Sequence, residues 1–176
     1  MQLGEDTITM SMTLNPVNEA AFQKAVQSLE TLNRAAVFHP TGTGKSCIAW
    51  KVVEAHPQTT FFWLVAGAQR LALRQAELTR YNGGTLPGNV RFCDCEKLAA
   101  ATPEQWVRLG EQKPGCIVLD CYHELSAVCW AQSVQKLLRM CPQAKVLGLG
   151  VPNGAPVCAA AQELFADCIV SHMTVA

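Results

Sequence analysis

The stretch AAVFHPTGTGKS, residues 35–46, decides the fold of this chain. Its opening residues are apolar and without polar alternation, the composition of a strand covered on both faces. His39-Pro40-Thr41-Gly42-Thr43-Gly44-Lys45-Ser46 then follows the spacing of a phosphate-binding loop, with His39 at the position usually held by Gly. A helical pattern opens at Lys45, so strand, loop and helix stand in the order such a loop requires. Gly42 and Gly44 let the backbone come close to a phosphate, and the amides at the helix start supply donors and a positive dipole end. Pro40, Thr41, Gly42, Thr43, Gly44, Lys45 and Ser46 are therefore the nucleotide-binding candidates. Lys45 would reach the β- and γ-phosphates, and the Ser46 hydroxyl would ligate Mg²⁺. The competing explanation is a Gly-rich connecting turn with an exposed lysine. The agreement of the flanking elements favours nucleotide.

Outward from this loop, short apolar runs alternate with longer helical patterns. Strands are expected at 35–39, 60–66, 89–93, 116–120, 145–149 and 168–171. Helices are expected at 17–32, 45–55, 69–81, 103–110, 125–140 and 156–165. Asn82-Gly83-Gly84 closes the third helix, Pro87-Gly88 turns the chain, and Thr102 caps a helix that opens at Pro103. Alternation of this kind predicts a three-layer α/β domain with a mainly parallel central sheet. There is no internal repeat and no low-complexity stretch.

The chain has 176 residues, a size for one domain, and 49% of them are hydrophobic. Fourteen bases balance fourteen acids, which excludes a basic nucleic-acid arm or an acidic tail as the whole story. The balance hides a gradient: residues 34–97 carry eight bases and four acids, so the middle third is the place for an anionic ligand. No apolar run is long enough to span a bilayer, and residues 1–12 hold two acids and no base, unlike a secretory signal. Nine cysteines form no CxxC pair and sit mostly in apolar segments. They read as small hydrophobes in a reducing cytoplasm rather than as disulfides or zinc ligands.

A second chemical signal is Cys116-Ile117-Val118-Leu119-Asp120, an apolar strand ending in a carboxylate. Beside Ser46, Asp120 would hold Mg²⁺ through its water shell, with Lys45 and Asp120 as the catalytic pair. An Asp that merely caps a strand end is the plain alternative.

Taken in order, PTGTGKS, FFWLVAGAQRLALRQ, IVLDCYHE and KVLGLGVPN resemble the first RecA-like domain of a superfamily 2 DEAD/DEAH-box helicase. The resemblance places motif I at 39–46, motif Ia from Ala66, motif II at 120–123 and motif III at 150–153. It covers residues 14–176, leaving 1–13 as an N-terminal extension. It implies a RecA-like P-loop fold, ATP and Mg²⁺ as cofactors, and DNA or RNA as partner. LNPVNEAAFQKAV resembles the stretch preceding motif I, which puts Asn18 where an adenine-reading Gln often sits. Arg70 and Arg74, four apart on the helix after motif Ia, would touch nucleic-acid phosphates, although a solvated helix face explains them equally well.

The departures from the family pattern are as informative. Motif II carries Cys121 where active members have the Glu that polarises water, and a thiol is a poor substitute for that carboxylate. Motif III reads Gly150-Val151-Pro152-Asn153 and lacks hydroxyls. Glu124 is the nearest carboxylate, better explained as a charge at the start of the next helix. A second RecA-like domain, which would supply arginine fingers, is absent from the sequence. The expectation is an ATP-binding domain with impaired hydrolysis when alone. The alternatives are a P-loop nucleotide or small-molecule kinase and a non-hydrolysing pseudo-ATPase interaction module.

Overall fold

The computed structural model describes residues 12–120, 122–152 and 158–174. Residues 1–11 of the expected extension, Cys121, Asn153 and the start of the helix expected at 156 lie outside the described residues.

The chain opens with α1 (Pro16–Thr31), whose Asn15 cap accepts the Asn18 amide at 2.9 Å and whose first position is Pro16. There follow β1 (Arg34–Phe38), α2 (Lys45–Ala55), β2 (Phe61–Val65), α3 (Ala68–Tyr81), β3 (Val90–Asp94), α4 (Cys95–Ala99) and α5 (Pro103–Glu111). Next come β4 (Cys116–Asp120), a 3₁₀ turn (Tyr122–Glu124), α6 (Ala127–Cys129), a π turn (Trp130–Val134) and α7 (Gln135–Met140). The last elements are β5 (Lys145–Gly150), α8 (Ala159–Phe165) and β6 (Ile169–His172). The strands form one sheet in the order β3-β2-β4-β5-β1-β6, and every pairing is parallel.

Alternation along β2 shows why the central strands are so largely apolar. Phe61, Trp63 and Val65 enter one core layer with Ala21, Ile48 and Leu78 from α1, α2 and α3. Phe62 and Leu64 enter the other with Trp106, Leu137 and Phe165 from the later helices. A strand with a core on each side has no polar face to show.

Two expectations are corrected. The helix expected at 125–140 is interrupted by the π turn, within which the Ser133 hydroxyl donates to the Cys95 carbonyl at 2.6 Å. Helix α4 was not foreseen. It is capped by Asp94, whose carboxylate accepts the Glu96 amide at 3.0 Å.

The topology positions the site. β4 and β1 flank β5, so the chain leaving β1 and the chain leaving β4 emerge on the same edge of the sheet, one strand apart. In open α/β sheets, ligands lie beyond the carboxyl ends of the strands at such crossovers.

Candidate functional site

The loop from His39 to Gly44 joins β1 to the N-terminus of α2. Gly42 and Gly44 have φ of 80° and 90°, a left-handed conformation that a side chain strains. At Gly44 the need for glycine is twofold, since an added Cβ would lie 2.7 Å from Asn18 Nδ2. The loop is also braced from within. Thr43 Oγ1 donates to the Pro40 carbonyl at 2.7 Å, and Lys45 Nζ donates to the carbonyls of His39 and Pro40 at 2.7 and 2.8 Å. A lysine bound to its own loop holds the loop in shape and keeps the cation at its mouth.

Asn18 stands behind this loop. It is 4% exposed and its Nδ2 donates to the Thr43 carbonyl at 2.8 Å. Its Oδ1 is buried and has no hydrogen-bond partner among the described residues. The side chain that the resemblance assigns to adenine thus fixes the loop's backbone.

His39 joins the loop to the two strands that flank β1. Its amide donates to the Gly150 carbonyl, and Nε2 lies 2.7 Å from Ser171 Oγ on β6. Burial lowers its pKa, with nearby Lys45 and then His172 acting in the same direction, so the ring is neutral.

Thr41, Gly42, Gly44, Lys45, Ser46 and Asp120 line one cleft of about 620 Å³. This volume is in the range of a small-molecule or cofactor site. The expected phosphate loop and the carboxylate at the end of β4 therefore face the same space. Pro40 and Thr43 serve the loop's internal bonds.

The opposite wall of the cleft is α3, and its arginines behave differently from expectation. Rather than forming an outward face, both turn into the cleft and pair with its acids. Arg74 Nε donates to Asp120 Oδ2 at 2.5 Å, and Arg74 also pairs with Glu77. Arg70 pairs with Glu124, which lies 3.4 Å from His123 Nε2 through its second oxygen. Asp120 is 3% exposed, and its Oδ2 receives a further bond from Trp63 Nε1 at 3.0 Å. Trp63 thus fills the core and also anchors the carboxylate. His123 is buried, and burial lowers its pKa against the opposing pull of Glu124. At the far end of α3, Tyr81 lines the cleft and its hydroxyl accepts from Cys47 Sγ at 3.4 Å. Burial raises the Tyr81 pKa, so the phenol stays protonated.

This donor set suits an anion better than a metal. Glycines, helix-start amides and Lys45 fit a phosphate chain. Ser46 is placed for a divalent ion beside it, but the charge of Asp120 is already answered by Arg74. Among the described residues no cluster of three or more His, Cys, Asp or Glu side chains could hold a metal. Cys93 and Cys95 are buried thiols pushed up by burial to about 11 and about 12. No described helix is long and apolar enough to cross a membrane.

The engagement of Arg74, Glu77 and Tyr81 in the cleft was missed from sequence. The only signal for it was the i, i+4 spacing of Arg70 and Arg74, which gives a shared face without its direction.

Compared with solved structures, the chain is similar to the Escherichia coli DEAH/RHA helicase HrpB, with a TM-score of 0.64 and 17% identity over 90% of this chain and 22% of that one. It is also similar to the ATP-dependent Type ISP restriction-modification enzyme LlaBIII bound to DNA, with a TM-score of 0.57 and 15% identity. That match covers 80% of this chain and 13% of the other. The chain thus spans less than a quarter of the length of either neighbour. At these identities the likeness is one of fold alone: a RecA-like α/β fold with an all-parallel six-stranded sheet. No protein-family model and no curated protein matches the sequence.

Proposed function

We propose that residues 14–176 are the nucleotide-binding domain of a helicase-like protein, taking ATP or ADP in the cleft between the 39–46 loop and α3. One observation carries this reading. Gly42 and Gly44 are left-handed at the start of an 11-residue helix, with Lys45 and Ser46 lining the same cleft as Asp120. Helix-start amides and the Lys45 ammonium would take the phosphates, exchanging the loop's own carbonyls for a charged acceptor. Mg²⁺ arriving with the nucleotide supplies charge neutralisation at the phosphates and would find the Ser46 hydroxyl.

Nucleic acid and a second RecA-like domain are the partners this reading implies. They rest on the fold's likeness to helicase domains and not on Arg70 and Arg74, whose guanidinium groups are engaged in the cleft.

Hydrolysis by the chain alone is expected to be negligible. Taking a proton from water needs a carboxylate without a tight cationic partner, near the γ-phosphate. The sequence has Cys121 after Asp120, Asp120 is held by Arg74, and Glu124 is paired with Arg70. This charge pairing favours a non-hydrolysing module over a kinase as the second reading.

The test is titration calorimetry of ATP into the wild-type chain and Lys45→Ala. Removing the charge-assisted contact costs roughly 1.5–3 kcal/mol, or about 10- to 150-fold in affinity. Equal affinities would sink the phosphate-loop assignment.

A further inference from the structure

Every side chain expected to meet a metal-bound nucleotide already has a protein partner, and two of those partners come from α3. Arg74 Nε donates to Asp120 Oδ2 at 2.5 Å, and the same guanidinium pairs with Glu77 and makes a further contact. Two turns along the same helix face, the Tyr81 hydroxyl accepts from Cys47 Sγ at 3.4 Å and lies within hydrogen-bond reach of the Ser46 hydroxyl. Lys45 is held by the carbonyls of His39 and Pro40.

The contact to Asp120 is the strongest of these. The carboxylate is 3% exposed and the arginine 20%, so the pair acts where charge is weakly screened. Trp63 Nε1 bonds the same oxygen at 3.0 Å. A divalent ion reaches Asp120 only by displacing the guanidinium, because two cations seated side by side would repel at close range. The arginines have no charge to spare for a phosphate: Arg70 and Arg74 face three acids, Glu77, Asp120 and Glu124. Turning Arg74 away leaves Asp120 buried and negative, a state relieved by taking up another cation. That exchange need not unseat the helix, since Leu71 and Leu78 hold α3 to the core and the long arginine side chain is the part that turns.

We infer that α3 is an autoinhibitory latch on the cleft: Arg74, with Tyr81 beside it, withholds Asp120 and Ser46 from a divalent ion, and metal with nucleotide must break these contacts to bind. The latched fraction lowers the apparent affinity in proportion. The inference deepens the nucleotide-binding reading above, and one arm of its test does not depend on that reading.

That arm uses Mn²⁺ alone, with the free ion followed by electron paramagnetic resonance. Arg74→Gln, which keeps a polar side chain but no charge, is expected to bind Mn²⁺ at least about tenfold more tightly than wild type. The gain should vanish in Arg74→Gln with Asp120→Asn. Equal Mn²⁺ affinity in wild type and Arg74→Gln overturns the latch. So does a gain that persists in the double variant, since the effect would then not pass through Asp120. Should Arg74→Gln be unfolded without metal, millimolar Mn²⁺ must restore its circular dichroism, because an ion that binds only the folded chain stabilises it. A variant that stays unfolded in Mn²⁺ counts against the inference. The second arm titrates ATP. Arg74→Gln should bind at least about threefold more tightly than wild type in excess Mg²⁺ and no more tightly in EDTA. A Mn²⁺ gain without tighter Mg·ATP binding overturns the inference as well. If neither protein binds ATP in either buffer, the nucleotide reading falls, and the Mn²⁺ arm still decides whether Arg74 withholds Asp120.

Discussion

Gly44→Ala tests the loop's architecture without any ligand. The substitution meets two obstacles of different origin. The backbone at Gly44 has φ of 90°, and a Cβ in the left-handed region costs about 1–2 kcal/mol. The same Cβ would lie 2.7 Å from Asn18 Nδ2, closer than van der Waals contact permits. Asn18 cannot simply swing away, because it is buried on α1 and its amide holds the Thr43 carbonyl at 2.8 Å. Displacing it leaves buried polar groups unpaired, at about 1–3 kcal/mol. The expected total is about 2–5 kcal/mol. Gly42→Ala is the internal control, since φ there is 80° but nothing lies within 4 Å of the added Cβ, leaving the backbone cost of about 1–2 kcal/mol alone. The assay is urea unfolding at 25 °C, read as midpoint shifts at constant slope. A double-mutant cycle with Asn18→Ala removes the clashing atom, so Gly44→Ala in that background should fall to the cost of Gly42→Ala. Equal costs for Gly44→Ala and Gly42→Ala in the wild-type background, or a cycle with no coupling, would refute the claim that Asn18 braces the loop.

Two further outcomes are expected. Burial lowers the pKa of His39, so the fold keeps the ring neutral while the unfolded chain takes up a proton near about pH 6.5; this contribution is present above that pH and is lost as pH falls through the lower folded pKa. The melting temperature should therefore drop between pH 7.5 and 5.5, and His39→Gln, which has no ring to protonate, should drop less; parallel slopes would count against it. Phosphate release at saturating Mg·ATP should be negligible for wild type and measurable for Cys121→Glu, since a positioned base contributes about 10²- to 10⁴-fold. Robust wild-type turnover abolished by Asp120→Ala would instead mean that another carboxylate, Glu124 first, escapes its arginine.

The central strands were legible because they are apolar runs with a break at both ends. The run 116–120 is strand over its expected length, and β1 and β2 differ from expectation by single residues at their ends. Burial on both faces writes itself into composition, and composition is what a sequence displays. Helix α4 was not legible, because five residues are too few to establish a period and its cap, Asp94, also ends a strand. The π turn in the 125–140 segment was hidden for a different reason. Its sequence keeps a helical pattern, and the Ser133–Cys95 bond that accompanies the wide turn joins residues 38 apart.

The site divides along the same line between local and tertiary information. The phosphate loop was legible because its chemistry is written in consecutive residues, each needed where it stands. The partners of its acids were not. Positions 70 and 74 share a helix face by arithmetic alone, but arithmetic does not say whether that face looks at solvent or into the cleft. An apolar stripe normally settles the question by declaring which side is buried. On α3 Leu78 is buried and Leu71 and Tyr81 pack on the core beside it, while Leu73 is 62% exposed, so the apolar positions place the helix on the sheet without saying where Arg70 and Arg74 reach. A polar demand acts beside that packing. Asp120 at the end of β4 is a buried carboxylate, and a buried carboxylate demands a cation or several donors. Trp63 from β2 supplies one donor and Arg74 from α3 supplies the charge. The need for that cation could be inferred once Asp120 was placed at the end of a buried strand. Which arginine would answer it depended on how α3 lies across the sheet, and that is set by the packing of the whole layer.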